Sequence, residues 1–235
     1  MKNISVRKLL RGFLATCLRN CGSMRGRSRI AGFLHAMFFA SMREDNMVDA
    51  KQKDGSKIRV DLRHKGGERW CFYLGEYEPV HVNLLLSFLP DDGVFVDVGA
   101  NIGFFTVPVA HRNRRANCRV YAFEPIPSNY QALVENIQIN DLDVFPYNLA
   151  LSNATGILSM HVNVDNDVET GNAVALSNWK TPIDRTVNCE VNAGRFDDWI
   201  RSANLDRVDV VKIDVEGHEL FVLEGMILDF GQTTG

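Results

Sequence analysis

The run Val94-Phe95-Val96-Asp97-Val98 constrains this chain more than any other stretch. A continuous apolar segment with one carboxylate near its end is how a strand buried on both faces of a parallel sheet reads. It breaks into Gly99-Ala100-Asn101-Ile102-Gly103 and passes into Phe104-Phe105-Thr106-Val107, a helix start. Strand, glycine loop and helix make the first half of a nucleotide-binding βαβ unit. The glycines let the backbone approach a ligand, and the helix N-terminus offers free N–H groups.

The spacing narrows the ligand. A dinucleotide site asks for Gly-x-Gly-x-x-Gly with a pyrophosphate on the helix N-terminus. Here the spacing is Gly99-x-x-x-Gly103, and Asp97 stands at the strand end. An ionised Asp97 would repel a pyrophosphate and attract a ligand with an ammonium group nearby. S-adenosylmethionine (SAM) carries an α-amino group and a sulfonium and no phosphate. A βα turn with no ligand is the plain alternative. Residues 119–123 predict a second strand ending at Glu124, about 20 residues past the loop. An acid there accepts hydrogen bonds from ribose hydroxyls, which supports an adenosine ligand without separating the two cofactors.

The rest of the chain supplies the frame. Residues 58–62 and 69–74 alternate and predict a β-hairpin around Lys65-Gly66-Gly67. A helix is expected over 80–89. Pro108 predicts a late or kinked start for the helix after the glycine loop. Ser128 and Gln131 read as a capping box. Residues 144–151 predict a third strand, which Pro146 places at an edge or bulge. The expected sheet order is third, second, first, fourth. Residues 157–164 and 186–191 alternate and are expected to extend that sheet as antiparallel members. Residues 165–184 read as a loop or lid. Residues 208–215 predict the fourth strand, followed by Glu216-Gly217-His218-Glu219 and a last helix through Leu228. Ligands in such sheets sit beyond the strand C-termini at the switch point. Asp97, Glu124, Asp214 and Glu216 are therefore expected to converge. No metal is expected from Asp214, Glu216, His218 and Glu219, which lack a recognisable ligand spacing. His218 is expected at a helix-start surface or on the substrate side.

Residues 1–43 differ from the remainder. They hold nine Lys or Arg and no acid, with apolar residues at helical spacing and a break at residues 22–26. The readings are a helical lead-in packed on the main domain, a membrane-surface or acidic-partner contact, or a transit peptide. The whole chain, 235 residues with net charge -3, gives no general case for nucleic-acid binding. No apolar run approaches the ~18 to 20 residues of a membrane span. Five scattered cysteines, without Cys-x-x-Cys, suit free thiols in a reducing, cytoplasmic setting.

Together, Gly75-Glu76-Tyr77-Glu78-Pro79, the run from Val94 to Phe104, Ala122-Phe123-Glu124-Pro125, Asn148-Leu149-Ala150-Leu151-Ser152 and Val211-Lys212-Ile213-Asp214-Val215-Glu216-Gly217-His218-Glu219 resemble the FkbM-type SAM-dependent methyltransferases. The resemblance runs from about residue 54 onward. It implies a Rossmann-like, doubly wound α/β sheet of the class I methyltransferase type over residues 46–235, after a basic helical segment over 1–45. It implies SAM as cofactor and O-methylation of a sugar, glycan or polyketide-like hydroxyl. Carried over by position, Asp97, Gly99, Asn101 and Gly103 line the methionine end, Glu124 holds the ribose, and Ala150 and Leu151 lie near the adenine. Glu78 joins this cofactor set, and Asp214 and Glu216 face the transferred methyl. The family continues into further strands, so the chain is expected to be C-terminally truncated, with an unpaired apolar edge on its fourth strand. The rival expectations are an NAD(P)-dependent oxidoreductase and an inactive fragment that binds a membrane surface or a partner.

Overall fold

The computed structural model describes residues 6–21, 26–39, 46–64, 67–165, 168–175 and 186–227. The chain divides into two compact units, residues 1–79 and 80–235.

In the first unit, α1 (Val6–Asn20) and α2 (Arg27–Phe39) pack against α3 (Gly67–Leu74). Ala15, Leu18 and Ala31 are buried, together with Cys71, Phe72 and Tyr73 of α3. The Arg19 guanidinium donates to the Phe72 carbonyl, 3.0 Å from Nε. The two helices expected in the basic segment are thus present, separated at the expected break.

The expected hairpin is corrected. β1 (Met47–Lys51) pairs antiparallel with β2 (Lys57–Asp61) across the Asp54-Gly55 turn. Residues 69–74 belong to α3 instead. The buried positions Glu68, Cys71 and Phe72 follow helical spacing, and this outweighs the alternation of Trp70, Phe72 and Leu74. Glu68 accepts the Asp61 N–H and pairs with His64 Nδ1, closing α3 onto the hairpin.

The second unit carries α4 (Pro79–Phe88), whose first residue is the last of the first unit. It then runs β3 (Val94–Val98), α5 (Thr106–Arg112), β4 (Arg119–Phe123), α6 (Pro127–Gln138) and β5 (Val144–Tyr147). β6 (Ala150–Ser152), β7 (Gly156–Asp165), β8 (Val168–Ala175) and β9 (Thr186–Arg195) follow, and α7 (Phe196–Ser202), β10 (Val210–Ile213) and α8 (Glu219–Glu224) complete it. β10, β3, β4 and β5 form an all-parallel sheet in that order, which is the expected order. Every residue of β3 is buried, as its unbroken apolar run predicts. β5, with Pro146, lies at the sheet edge. On one face, Trp199 of α7 packs edge-on against Tyr121, Phe123 and Tyr147, with ring centroids 4.9 to 5.9 Å apart.

Four further expectations change. Residues 144–151 are not one strand: the chain leaves the parallel sheet after Tyr147, and β6 joins a second sheet of order β6-β9-β7-β8. The alternating segments at 157–164 and 186–191 belong to that second sheet and do not extend the first. The loop expected over 165–184 contains β8; residues 166–167 and 176–185 lie outside the described residues. The capping box does not set the start of α6. Pro127 takes the first helical position, Ile126 is the N-cap, and Ser128 falls inside the helix. Pro108 behaves as expected: α5 begins late, at Thr106, which puts the proline in its first turn. Residues 228–235, where the expected truncation falls, lie outside the described residues.

Candidate active site

The sheet order reverses across β3, with β4 on one side and β10 on the other. That is the switch point at which such sheets bind ligands. The chain leaves β3 at Gly99, with φ +77; a Cβ there would lie 2.0 Å from the Asp214 carbonyl oxygen. Only glycine lets the loop pass so near the end of β10. Gly99 and Ala100 both donate their N–H groups to the Phe123 carbonyl, at 3.0 and 2.9 Å. The loop is thus stitched to both neighbouring strands. Asn101 has φ +53, a conformation asparagine tolerates. At Gly103 a Cβ would meet Leu133 at 3.0 Å, so α6 packs directly on the loop.

Asp97 is fully buried. Its Oδ2 accepts the Thr106 hydroxyl at 2.6 Å. Its Oδ1 makes a charge contact with Lys212 Nζ at 3.0 Å, without hydrogen-bond alignment. Lys212 in turn donates to the Gly99 carbonyl at 2.7 Å. The carboxylate expected to meet a ligand ammonium is therefore closed off from solvent and neutralised inside the fold. Asp97 anchors the loop from within. Lys212, which the sequence reading gave no part in the site, is the residue that reveals this.

Glu124 is 4% exposed. Its Oε2 accepts the Asn101 N–H at 2.8 Å, and its Oε1 accepts the Ile126 N–H at 3.0 Å. Burial pushes its carboxyl up to about 7, against the opposing pull of these hydrogen bonds. Phe123 and Pro125, which flank it, line a small cavity open to solvent. Gly99, Ala150, Leu151 and His218 share that wall. Three of the expected cofactor residues thus meet at one apolar cavity, beside a held acceptor carboxylate. An apolar wall suits an adenine ring, and a desolvated carboxylate suits ribose hydroxyls.

Asp214 and Glu216 lie exposed in the turn after β10. Loss of solvent, then the charges of Asp214 and Glu219, push the Glu216 carboxyl above its ordinary value. Glu219 is held below its ordinary value despite partial burial, because its carboxylate accepts backbone N–H bonds that include those of Gly217 and Val215. Of the two places expected for His218, the helix-start surface is corrected: the residue is 6% exposed, with Nε2 3.0 Å from Ser152 Oγ, and it lines the cavity. Burial lowers its pKa, so the imidazole is neutral at pH 7. Its placement before the last helix was visible in the sequence; its contact with Ser152, 66 residues away, was not. Glu78 lies in the first unit, at φ +39 in the turn before α4.

Residues 97–234 match the family model described as the methyltransferase FkbM domain. The chain is 33% identical over 145 residues to the hexuronic acid methyltransferase AglP of Haloferax volcanii, covering 62% of this chain and 54% of that protein. It is 31% identical over 162 residues to methyltransferase sdnD of Sordaria araneosa, covering 59% and 62%. The chain thus spans little more than half the length of these relatives. The solved structure of methyltransferase FkbM from Methylobacillus flagellatus aligns at 20% identity and a TM-score of 0.39, over 58% of this chain and 29% of that one. The dinucleotide-dependent alternative is set aside by the family match. With the domain match covering more than half of its length, the chain belongs to the FkbM family of SAM-dependent methyltransferases.

Proposed function

We propose that this chain carries a methyl transfer from SAM to an oxygen of a sugar acceptor, with a hexuronic acid unit the first candidate. The observation that carries the reading is the meeting of Gly99, Ala150 and Leu151 on one cavity wall, at the junction of the two βα units. The acceptor class rests on the relative whose name specifies hexuronic acid methylation.

When bound, SAM supplies an electrophilic methyl on a sulfonium. The chain's own contribution is positioning. The glycine loop presents backbone groups at the switch point, and Asn101 and Gly103 shape it. Glu124 accepts the ribose hydroxyls. Asp214 and Glu216 neighbour Val215, which lines the cavity, and the Glu216 carboxylate takes the proton from the acceptor hydroxyl. Its raised pKa favours that transfer near neutral pH. The test is incubation with methyl-labelled SAM and an acceptor panel of a hexuronic acid glycoside, a neutral hexose glycoside and a polyketide alcohol. Label on a hexuronic acid oxygen supports the reading. Label on the polyketide alcohol alone, or none on any acceptor while SAH still binds, contradicts it.

A specific observation supports a second role for the first unit. Phe13 and Phe33 are each 64% exposed, in a segment with nine basic residues and no acid. Exposed aromatics in a cationic segment fit an anionic lipid surface. No helix among the described residues is long and apolar enough to cross a membrane. Salt-sensitive co-sedimentation with phosphatidylserine vesicles, and not with phosphatidylcholine, is expected. Equal recovery in the supernatant with both would sink this role.

A further inference from the structure

We propose that Lys212 is the positioning residue of this site: a part-buried ammonium that fixes the Gly99 carbonyl and so holds the glycine loop in its ligand-ready shape. The proposal rests on the SAM reading for the identity of the ligand, and on geometry alone for the loop.

Lys212 pairs with Asp97 in the parallel register of β10 and β3, so the two side chains leave the same face of the sheet. An ammonium has three donors. Nζ lies 2.7 Å from the Gly99 carbonyl, 3.4 Å from the Val98 carbonyl and 3.0 Å from the Asp97 carboxylate. It also sits 5.2 Å from the Phe105 ring centroid, within cation–π range. All four partners belong to residues 97–105, the loop and its two borders. A lysine that only neutralised Asp97 would not need to reach two residues further.

The reach matters because the chain leaves β3 at Gly99. That residue has no side chain and adopts a left-handed φ. The β4 side of the loop is fixed by the Phe123 carbonyl, which binds the Gly99 and Ala100 N–H groups, and by Glu124, which binds that of Asn101. On the β10 side, Lys212 supplies the matching hold on the Gly99 carbonyl. Without it, the β10 side keeps the Asp214 N–H bond to the Val98 carbonyl, at 3.1 Å, but loses its hold on the Gly99 carbonyl. Lys212 therefore acts through the loop.

The test uses the full chain as wild type, Lys212→Met and the double variant Asp97→Asn/Lys212→Met. Thermal unfolding, calorimetric titration with S-adenosylhomocysteine, and ligand-free amide hydrogen exchange over residues 99–103 are read on each. The single variant leaves a buried charge and loses stability. The double variant has no buried charge and recovers most of the midpoint. Its affinity stays about tenfold or more below wild type, and its loop amides exchange faster while β4 is unchanged. Wild-type affinity and wild-type loop protection in the double variant would overturn the proposal, leaving the pair as charge compensation alone. If the wild type itself binds no S-adenosylhomocysteine, the SAM reading fails and the exchange data decide Lys212 by themselves. Should the methionine variants not fold, Lys212→Arg keeps the charge but misplaces the donor. Weakened binding at a near-wild-type midpoint supports the proposal, and unchanged binding overturns it.

Discussion

The α-carbon of Gly99 lies so close to the Asp214 carbonyl oxygen that a Cβ would come within 2.0 Å of it. Two backbones that meet here belong to different βα units, 115 residues apart, and no side chain separates them. Gly99→Ala must therefore move one backbone or the other, and it adds left-handed strain of about 1–3 kcal/mol. The expected outcome is a lower thermal midpoint and loss of S-adenosylhomocysteine binding by calorimetry. A variant that binds like the wild type would show that the loop and the end of β10 are apart in solution.

Glu124 predicts a pH dependence. Its folded carboxyl titrates at about 7, above the 4.5 of the unfolded chain. Between those values the folded state holds the extra proton, so this group's contribution makes stability fall as pH rises from about 4.5 to about 7. The penalty, on the order of 3 kcal/mol, is fully present above pH 7. Glu124→Gln should remove that slope in urea unfolding across pH 4.5 to 8. It should also weaken S-adenosylhomocysteine about tenfold, since an amide is a poorer acceptor for ribose hydroxyls. An unchanged slope would mean that Glu124 is more hydrated than its 4% exposure implies.

Glu216→Gln should lower kcat by about 10²-fold or more, the usual loss for a positioned proton acceptor. The acidic limb of the pH–rate profile should disappear with it. Asp214→Asn, which removes the neighbouring negative charge, should move that limb to lower pH, because this charge helps raise the Glu216 carboxyl. A limb that stays in place in both variants would assign the proton to another group.

Trp199 tests the core under the sheet. It is buried among Tyr121, Phe123, Tyr147 and Phe196, and its indole N–H has no hydrogen-bond partner among the described residues. Trp199→Ala should cost about 3–5 kcal/mol in denaturant unfolding. Trp199→Phe should cost markedly less, because it also removes a buried unpartnered donor. Equal losses in the two would contradict this packing.

The elements nearest the site were the most legible in the sequence. β3 is buried on both faces, so its residues had to be apolar without a break. Pro146 marked β5 as an edge strand because it cannot donate to a ladder. The helix α3 was misread because Trp70, Phe72 and Leu74 fit a period of two as well as a short helix, and only the burial of Glu68, Cys71 and Phe72 separates the readings. The N-cap of α6, Ile126, lies two positions before the one the capping box predicts, because Pro127, pre-set for a first helical turn, competes with Ser128. The contacts of Lys212 and His218 are not legible in the sequence for another reason. Their partners, Gly99 and Ser152, are distant in sequence and come together only through the order of the sheet.

The most direct measurement is calorimetric titration of the purified chain with S-adenosylhomocysteine, with NAD in a parallel cell. The site described here predicts micromolar binding of S-adenosylhomocysteine, none of NAD, and loss of binding in Gly99→Ala. Binding of NAD, or a folded chain by circular dichroism that takes neither ligand, would contradict it.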